Sequence, residues 1–196
     1  SMHTQLPAPS FSVRIWNGTP NEFLIKCAEL TRTGVGLPAY YNDEVIIPAL
    51  MSRGVTLADA REYGIIGCVE PQKPFKTDGW HDAAFFNMCR PLELVFSNGV
   101  DKGAQISIKT GNVEDMTTFE EFYNAYKAQE TYMIGLMVNA INAIDTAHSE
   151  RVPLPFLSCM VEDCVKEGKT VQEGGAHYNF TGPQGFGIAN MADGLW

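Results

Sequence analysis

No run of basic residues occurs in this sequence. Its 14 Lys and Arg are scattered among 23 Asp and Glu, giving a formal net charge of −9. A nucleic-acid groove or an anionic membrane surface is therefore excluded as the main partner, because both need clustered positive charge. Also missing is any apolar stretch near the roughly 20 residues that span a bilayer. The opening SMHTQLPAPS lacks the apolar core of a signal peptide. These absences point to a soluble, cytoplasmic protein. Ser1-Met2 resembles a cloning remnant ahead of an introduced methionine, so the natural chain is expected to be longer.

Cysteine is present in an odd number, five, without a repeating spacing. Cys159 and Cys164 are too widely spaced for a C-x-x-C pair, and no histidine lies near them to complete a zinc set. No metal site is expected, and reduced thiols are the plain reading. Internal repeats and low-complexity linkers are lacking too. What is present is an ordinary globular composition, 45% hydrophobic and 19% charged over 196 residues, sufficient for one large domain with a packed core.

FSVRIW (11–16) alternates as a short strand does. Thr19, Pro20 and Glu22 then occupy N-cap, N1 and N3 of a helix expected from about Pro20 to Arg32. LPAYYND predicts a loop, with Asp43 capping a helix that Gly54 ends and Pro48 weakens. Thr56 and Asp59 open a short helix to about Tyr63. GIIGCVEP predicts a brief strand or buried turn. A helix from about Asp82 through Val95, bent at Pro91, and one strand at Gln105–Lys109 follow.

The clearest element lies further on. Phe119, Phe122, Tyr126, Met133, Met137, Ile141 and Ile144 recur at helical spacing behind a Thr118–Glu121 capping box. They predict a bracing helix over about 118–149, far longer than the usual helix of about 11–12 residues. SCMVEDCVKEG reads as another helix, GGAHYNFTGPQGFG (174–187) as a glycine-rich loop, and IANMADGLW as the start of a further helix.

Cys68-Val69-Glu70-Pro71 is the first group that bears on chemistry. In an extended segment alternate side chains share a face, which would set Cys68 and Glu70 together. The offset supplies the thiol with a carboxylate rather than an imidazole. Ile65, Ile66 and Val69 predict an apolar setting that keeps the thiol protonated, suited to hydrogen-atom exchange more than to attack as an anion. Glu70, desolvated in the same setting, would have a raised pKa and serve as general base. A small buried cysteine followed by a solvated glutamate is the simpler reading of the spacing alone.

Trp80-His81-Asp82 is the second group. Asp82 reads most simply as a helix cap, and alternatively as an acceptor for substrate hydroxyls with His81 beside it. The glycines at 182, 185 and 187 match neither a phosphate loop nor a dinucleotide fingerprint. A Cys68–His81 or Cys68–His177 hydrolase pair stays open, although neither local peptidase signature is present.

YGIIGCVEP, then GWHDAAFFN, then GGAHYNFTGPQGFGIANMADGL together resemble the glycyl radical enzymes, relatives of pyruvate formate-lyase, over about Pro9 to Trp196. The resemblance implies an α/β fold, one partial segment of the family's ten-stranded barrel over 1–196. It implies a thiyl radical position at Cys68, a general base at Glu70, and substrate contacts at Asp82 with His81 beside it. Val69 after Cys68, where pyruvate formate-lyase has a second cysteine, argues against acyl transfer.

The subgroup it implies is glycerol or propane-1,2-diol dehydratase, with choline trimethylamine-lyase as competitor. An inactive stand-alone module of the same family is a further alternative. No cofactor is implied within this chain. The glycyl radical belongs to a segment with an Arg-Val-x-Gly-Tyr type motif that does not occur here, and a separate S-adenosylmethionine and iron–sulfur activating enzyme installs it. The isolated chain is accordingly expected to be inactive. Homo-oligomerisation of the full-length protein and an anaerobic bacterial cytosol or microcompartment also follow from the resemblance.

Overall fold

The computed structural model describes residues 8–196, so the expectation attached to Ser1-Met2 lies outside the described residues. The chain opens with strand β1 (Ser12–Ile15) and helix α1 (Asn21–Thr31). Pro20, not Thr19, is the residue that precedes the helix; the Thr19 hydroxyl instead accepts from the Trp16 amide at 2.9 Å and turns the chain. The segment expected as a loop contains strand β2 (Ala39–Asn42), parallel to β1 with Val13 opposite Tyr40. Consecutive tyrosines favour a pleated surface once a partner strand is supplied, and that partner lies 27 residues earlier in the register pair Val13–Tyr40.

Helix α2 (Asp43–Ser52) is capped by Asn42, whose side chain accepts from Glu44 N at 3.0 Å. Asp43 is thereby free for Arg14, which grips it through Nε and Nη2, both at 2.8 Å. Tyr63 O–H donates to the same carboxylate at 2.7 Å, and the Arg14 guanidinium lies 3.9 Å from the Tyr63 ring centroid. This cluster holds Tyr63 immediately ahead of a hairpin. Helix α3 (Leu57–Arg61), capped by Thr56 as predicted, completes a core of Tyr41, Leu50, Val55, Ala60 and Tyr63, closed by Tyr178 from far along the chain.

The hairpin consists of β3 (Gly64–Ile66) and β4 (Glu70–Gln72), with Ile66 opposite Glu70. Next comes β5 (Thr77–Asn87), an 11-residue strand where a helix starting at Asp82 was expected. Helix α4 begins only at Cys89 (Cys89–Phe96), and Pro91 sits in its first turn, where a missing N–H costs nothing. Pro91 therefore marks a helix start and not a bend. Two-residue strands β6 (Val100–Asp101) and β7 (Ala104–Gln105) pair with each other, and of the strand expected at Gln105–Lys109 only Gln105 lies in one.

Helix α5 (Phe119–Arg151) runs for 33 residues from the predicted capping box, with Glu121 N donating to Thr118 Oγ1 at 3.2 Å and Thr118 N to Glu121 Oε2 at 3.1 Å. SCMVEDCVKEG (158–168) is not one helix: its first residue ends the single turn α6 (Pro155–Ser158), and a second turn, α7 (Cys164–Glu167), follows Asp163, whose φ of +73° breaks any continuous helix. The segment expected as a glycine-rich loop holds a nine-residue strand, β8 (Tyr178–Phe186), parallel to β5. Helix α8 (Ile188–Leu195) packs Met191 and Leu195 against the α4–α5 core of Leu92, Val95, Ala125 and Tyr126.

The described strands form four two-stranded sheets. One polar cluster aligns the central pair: Asp59 Oδ2 accepts from Tyr178 O–H at 2.7 Å, and Asp59 pairs with Lys76 at 3.1 Å. Lys76 precedes β5 and Tyr178 begins β8, so one carboxylate from α3 sets both strand starts. The chain leaves 12475 Å² accessible. A compact monomer of 21.6 kDa exposes about 9,200 Å². Phe75, Phe85, Phe156 and Val165 are among the exposed apolar side chains. Among the described residues, no helix is long and apolar enough to cross a membrane.

Candidate active site

Residues 67–69 form the turn between β3 and β4, with Cys68 exposed at its tip. The alternation expected of an extended Cys-Val-Glu segment does not hold. A tight turn puts Gly67 at φ +59°, a left-handed conformation that favours glycine. Glu70 folds back over the turn instead of standing beside the thiol. Its Oε2 accepts from Cys68 N at 2.9 Å and from Val69 N at 2.8 Å. The carboxylate thus holds the backbone that presents the cysteine.

This arrangement overturns the expected protonation of Glu70. Burial pushes its pKa up, but the amides of Val69 and Cys68 stabilise the anion more strongly and the net shift is downward. Nor is the thiol enclosed in an apolar setting within the described residues, since Ile66 and Val69 are 45% and 51% exposed. Tyr41 O–H reaches the Cys68 carbonyl at 3.4 Å and ties the tip to β2.

The second group arrives on β5. Between the pairs Trp80–Thr181 and Ala84–Pro183, β5 advances four residues while β8 advances two. The resulting bulge carries His81, Asp82 and Ala83, so Asp82 lies in a distorted strand and not at a helix mouth. Cys68, Glu70, His81 and Asp82 line one cavity of about 270 Å³ with Ile66, Gly67, Gly79 and Trp80. All four residues singled out in the sequence therefore meet at one place.

Glycines make the approach possible. A Cβ at Gly79 would fall 2.1 Å from His81 Nε2, and one at Gly182 would fall 2.9 Å from His81 Cα. His81 Nε2 is hydrogen-bonded to Gln72 Oε1 at 3.0 Å. Burial lowers the His81 pKa, against the opposing pull of Glu70 and Asp82.

The residue that the sequence reading missed is Gln184. Its Nε2 donates to Glu70 Oε1 at 2.9 Å and to Asp82 Oδ1 in a short hydrogen bond. The Gln184–Glu70 contact spans 114 positions, and the segment carrying Gln184 read as a loop. Only the β5–β8 register, which places Gln184 beside Phe85, reveals it. His177 is elsewhere, bonded to Asp163 at 2.6 Å, and no hydrogen bond joins Cys68 to a histidine among the described residues. Among these residues no group of three or more His, Cys, Asp or Glu is placed to hold a metal ion.

The architecture and the sequence both have known counterparts. A solved structure for 1,2-propanediol dehydration in Roseburia inulinivorans superposes with a TM-score of 0.90 at 67% identity, over 98% of this chain and 24% of that one. The glycerol-bound B12-independent glycerol dehydratase from Clostridium butyricum gives a TM-score of 0.91 at 65% identity, over 98% of this chain and 25% of that one. Among curated relatives, (2S)-3-sulfopropanediol dehydratase of Klebsiella oxytoca is 39% identical over 100% of this chain and 24% of its own length. Trans-4-hydroxy-L-proline dehydratase of Clostridioides difficile is 38% identical over 97% of this chain and 24% of its own. The chain thus spans about a quarter of the relatives it matches, and the expected α/β barrel segment agrees with these neighbours. The pyruvate formate lyase-like profile matches residues 1–196 from end to end, and the chain belongs to that family of glycyl radical enzymes.

Proposed function

We propose that this chain is the thiol-bearing barrel segment of a radical dehydratase acting on a vicinal diol, with glycerol and propane-1,2-diol as substrate types. The observation that carries the reading is the shared cavity: a thiol, two carboxylates and a histidine face one small volume. The identities of 67% and 65% to the propanediol and glycerol enzymes favour a diol over the substrates of the relatives near 39%. In the full-length protein, a glycyl radical installed by a separate activating enzyme supplies the oxidising equivalent. The exposed tip of a hairpin suits a thiol that must be reached from outside its own segment.

Within this chain the division of labour is as follows. The Cys68 sulfur, as thiyl, takes a hydrogen atom from a substrate C–H, forming S–H and leaving a carbon radical. Glu70, held ionised by the amides of its own turn, accepts the hydroxyl proton of that carbon. An α-hydroxy radical is a stronger acid than the parent alcohol, so a carboxylate of depressed pKa is adequate. The neighbouring C–O bond breaks, and the departing hydroxyl takes up the proton that Glu70 accepted and leaves as water, which returns Glu70 to its carboxylate form. The carbonyl radical that remains recovers a hydrogen atom from Cys68 to give the aldehyde. Asp82 accepts a hydrogen bond from a substrate hydroxyl, with His81 as the wall beside it.

The test is anaerobic activation of a full-length protein carrying this segment, followed by assay with glycerol, propane-1,2-diol and choline. Diols are expected to yield aldehydes. Cys68→Ser should abolish turnover, and Glu70→Gln should lower kcat by about 10²–10⁴ while the glycyl radical signal persists. Turnover in either variant at the parent rate would overturn the assignment, and preference for choline would overturn the substrate class.

A further inference from the structure

Gln184 presents the two N–H groups of one amide to two carboxylates that belong to different elements. Both acceptor oxygens lie within hydrogen-bond reach of a single nitrogen, which places Glu70 Oε1 and Asp82 Oδ1 no more than about 6 Å apart. At that separation two carboxylates repel, and one would normally take up a proton. The orientation of the amide is fixed by its neighbours, because the reverse would set a carbonyl oxygen against two anions. A third, longer contact at 3.4 Å reaches the His81 carbonyl at the bulge.

The two acceptors are unequally supported. Glu70 has further donors in the Cys68 and Val69 amides, both on Oε2, so Gln184 is the donor for Oε1. Asp82, half a bulge away and exposed, has Gln184 as its hydrogen-bond donor among the described residues. The amide therefore joins the turn that presents the thiol to the strand that presents the second carboxylate.

We propose that Gln184 is a positioning residue for the reaction. It bridges Glu70 and Asp82 and fixes the spacing at which they receive the two hydroxyls of a diol. The role rests on the radical dehydratase reading above. Its consequence is that the base and the hydroxyl acceptor act as one unit, the bridge setting how far apart two substrate oxygens sit. Loss of the bridge takes the donor from Glu70 Oε1 and leaves a second carboxylate nearby, and Glu70 is then a base only at higher pH.

Gln184→Met in the activated full-length enzyme is the clean experiment, since methionine keeps length and volume and removes both donors. A fall in kcat/KM of about ten-fold to a hundred-fold is expected, as for loss of hydrogen bonds to charged groups. The rising limb of the pH profile should move upward while the glycyl radical yield stays constant. Adding Asp82→Asn should return the limb toward its original position, because the second charge is gone, and a residue that merely packs would show no such rescue. Gln184→Asn, which keeps the amide but shortens it by a methylene, supplies the same readout if the methionine variant fails to fold. Unchanged kcat/KM and an unmoved limb in a folded variant would overturn the positioning role. Parental turnover by Cys68→Ser or Glu70→Gln would overturn the dehydratase reading itself, whatever Gln184 does.

Discussion

Helix α5 and the β5–β8 pair are built in opposite ways. The helix carries its start signal within four residues, Thr118 to Glu121, and its periodicity is legible along its whole length. Its stability is distributed over many turns, and no single distant residue is required for it to form. The strand pair has no local signal of comparable strength. Its register depends on Asp59, 119 positions from Tyr178, and its shape depends on glycines that admit His81. The difference teaches that the site sits where the chain is least able to specify itself locally.

Four substitutions and one titration test that contrast, in descending size. Asp59→Ala removes the acceptor shared by Tyr178 and Lys76, and should cost about 2–3 kcal/mol in chemical denaturation. Equal stability of the variant would mean the strand register has another source. Gly182→Ala drives a Cβ to 2.9 Å from a backbone atom at an ordinary φ, so packing alone is probed. About 2 kcal/mol of destabilisation is expected, with displacement of the His81–Asp82 bulge.

In α5 the same change has the opposite sign. Gly135 has nothing within 4 Å of an added Cβ, so Gly135→Ala should raise stability by about 0.5–1 kcal/mol. Thr118→Ala should lower it by about 1 kcal/mol, through loss of the cap and not through any tertiary contact. If thermal unfolding showed Gly182→Ala and Gly135→Ala moving together, the contrast between the regions would fail.

The smallest expected effect is a pH dependence. Burial raises the Glu70 pKa, the amides of Val69 and Cys68 outweigh it, and the folded value lies below the ordinary one of about 4.3. A depressed carboxylate contributes stability that is present above its unfolded pKa and is lost as pH falls through the folded one. The stability difference between the parent and Glu70→Gln should therefore be constant from neutral pH down to about pH 5 and vanish on further acidification. A difference that grew as pH fell would reverse the sign assigned to this group.

The grouping of the candidate residues was legible in the order of the chain. Cys68, Glu70, His81 and Asp82 were marked as candidates, and they line one cavity. The capping box and the long helix were legible because both depend on neighbours within four positions. The expected helix at Asp82 and loop at 174–187 were not borne out, since aspartate before an apolar run signals a cap equally well, and a glycine-rich strand carries few β-forming side chains. The shared face expected of Cys68 and Glu70 does not form, because alternation assumes an extended segment and the chain turns at Gly67.

By itself the sequence determined the Thr118–Glu121 capping box, the long helix that it opens and the excess of acidic over basic residues. Those properties reside in single residues or in contacts within a turn of chain. Tertiary structure alone decided that a bulge carries Asp82 and that Gln184 bridges Glu70 and Asp82. A strand has no internal hydrogen bonds to complete, so its partner, its register and every side chain it brings to a site are fixed only when the distant strand arrives.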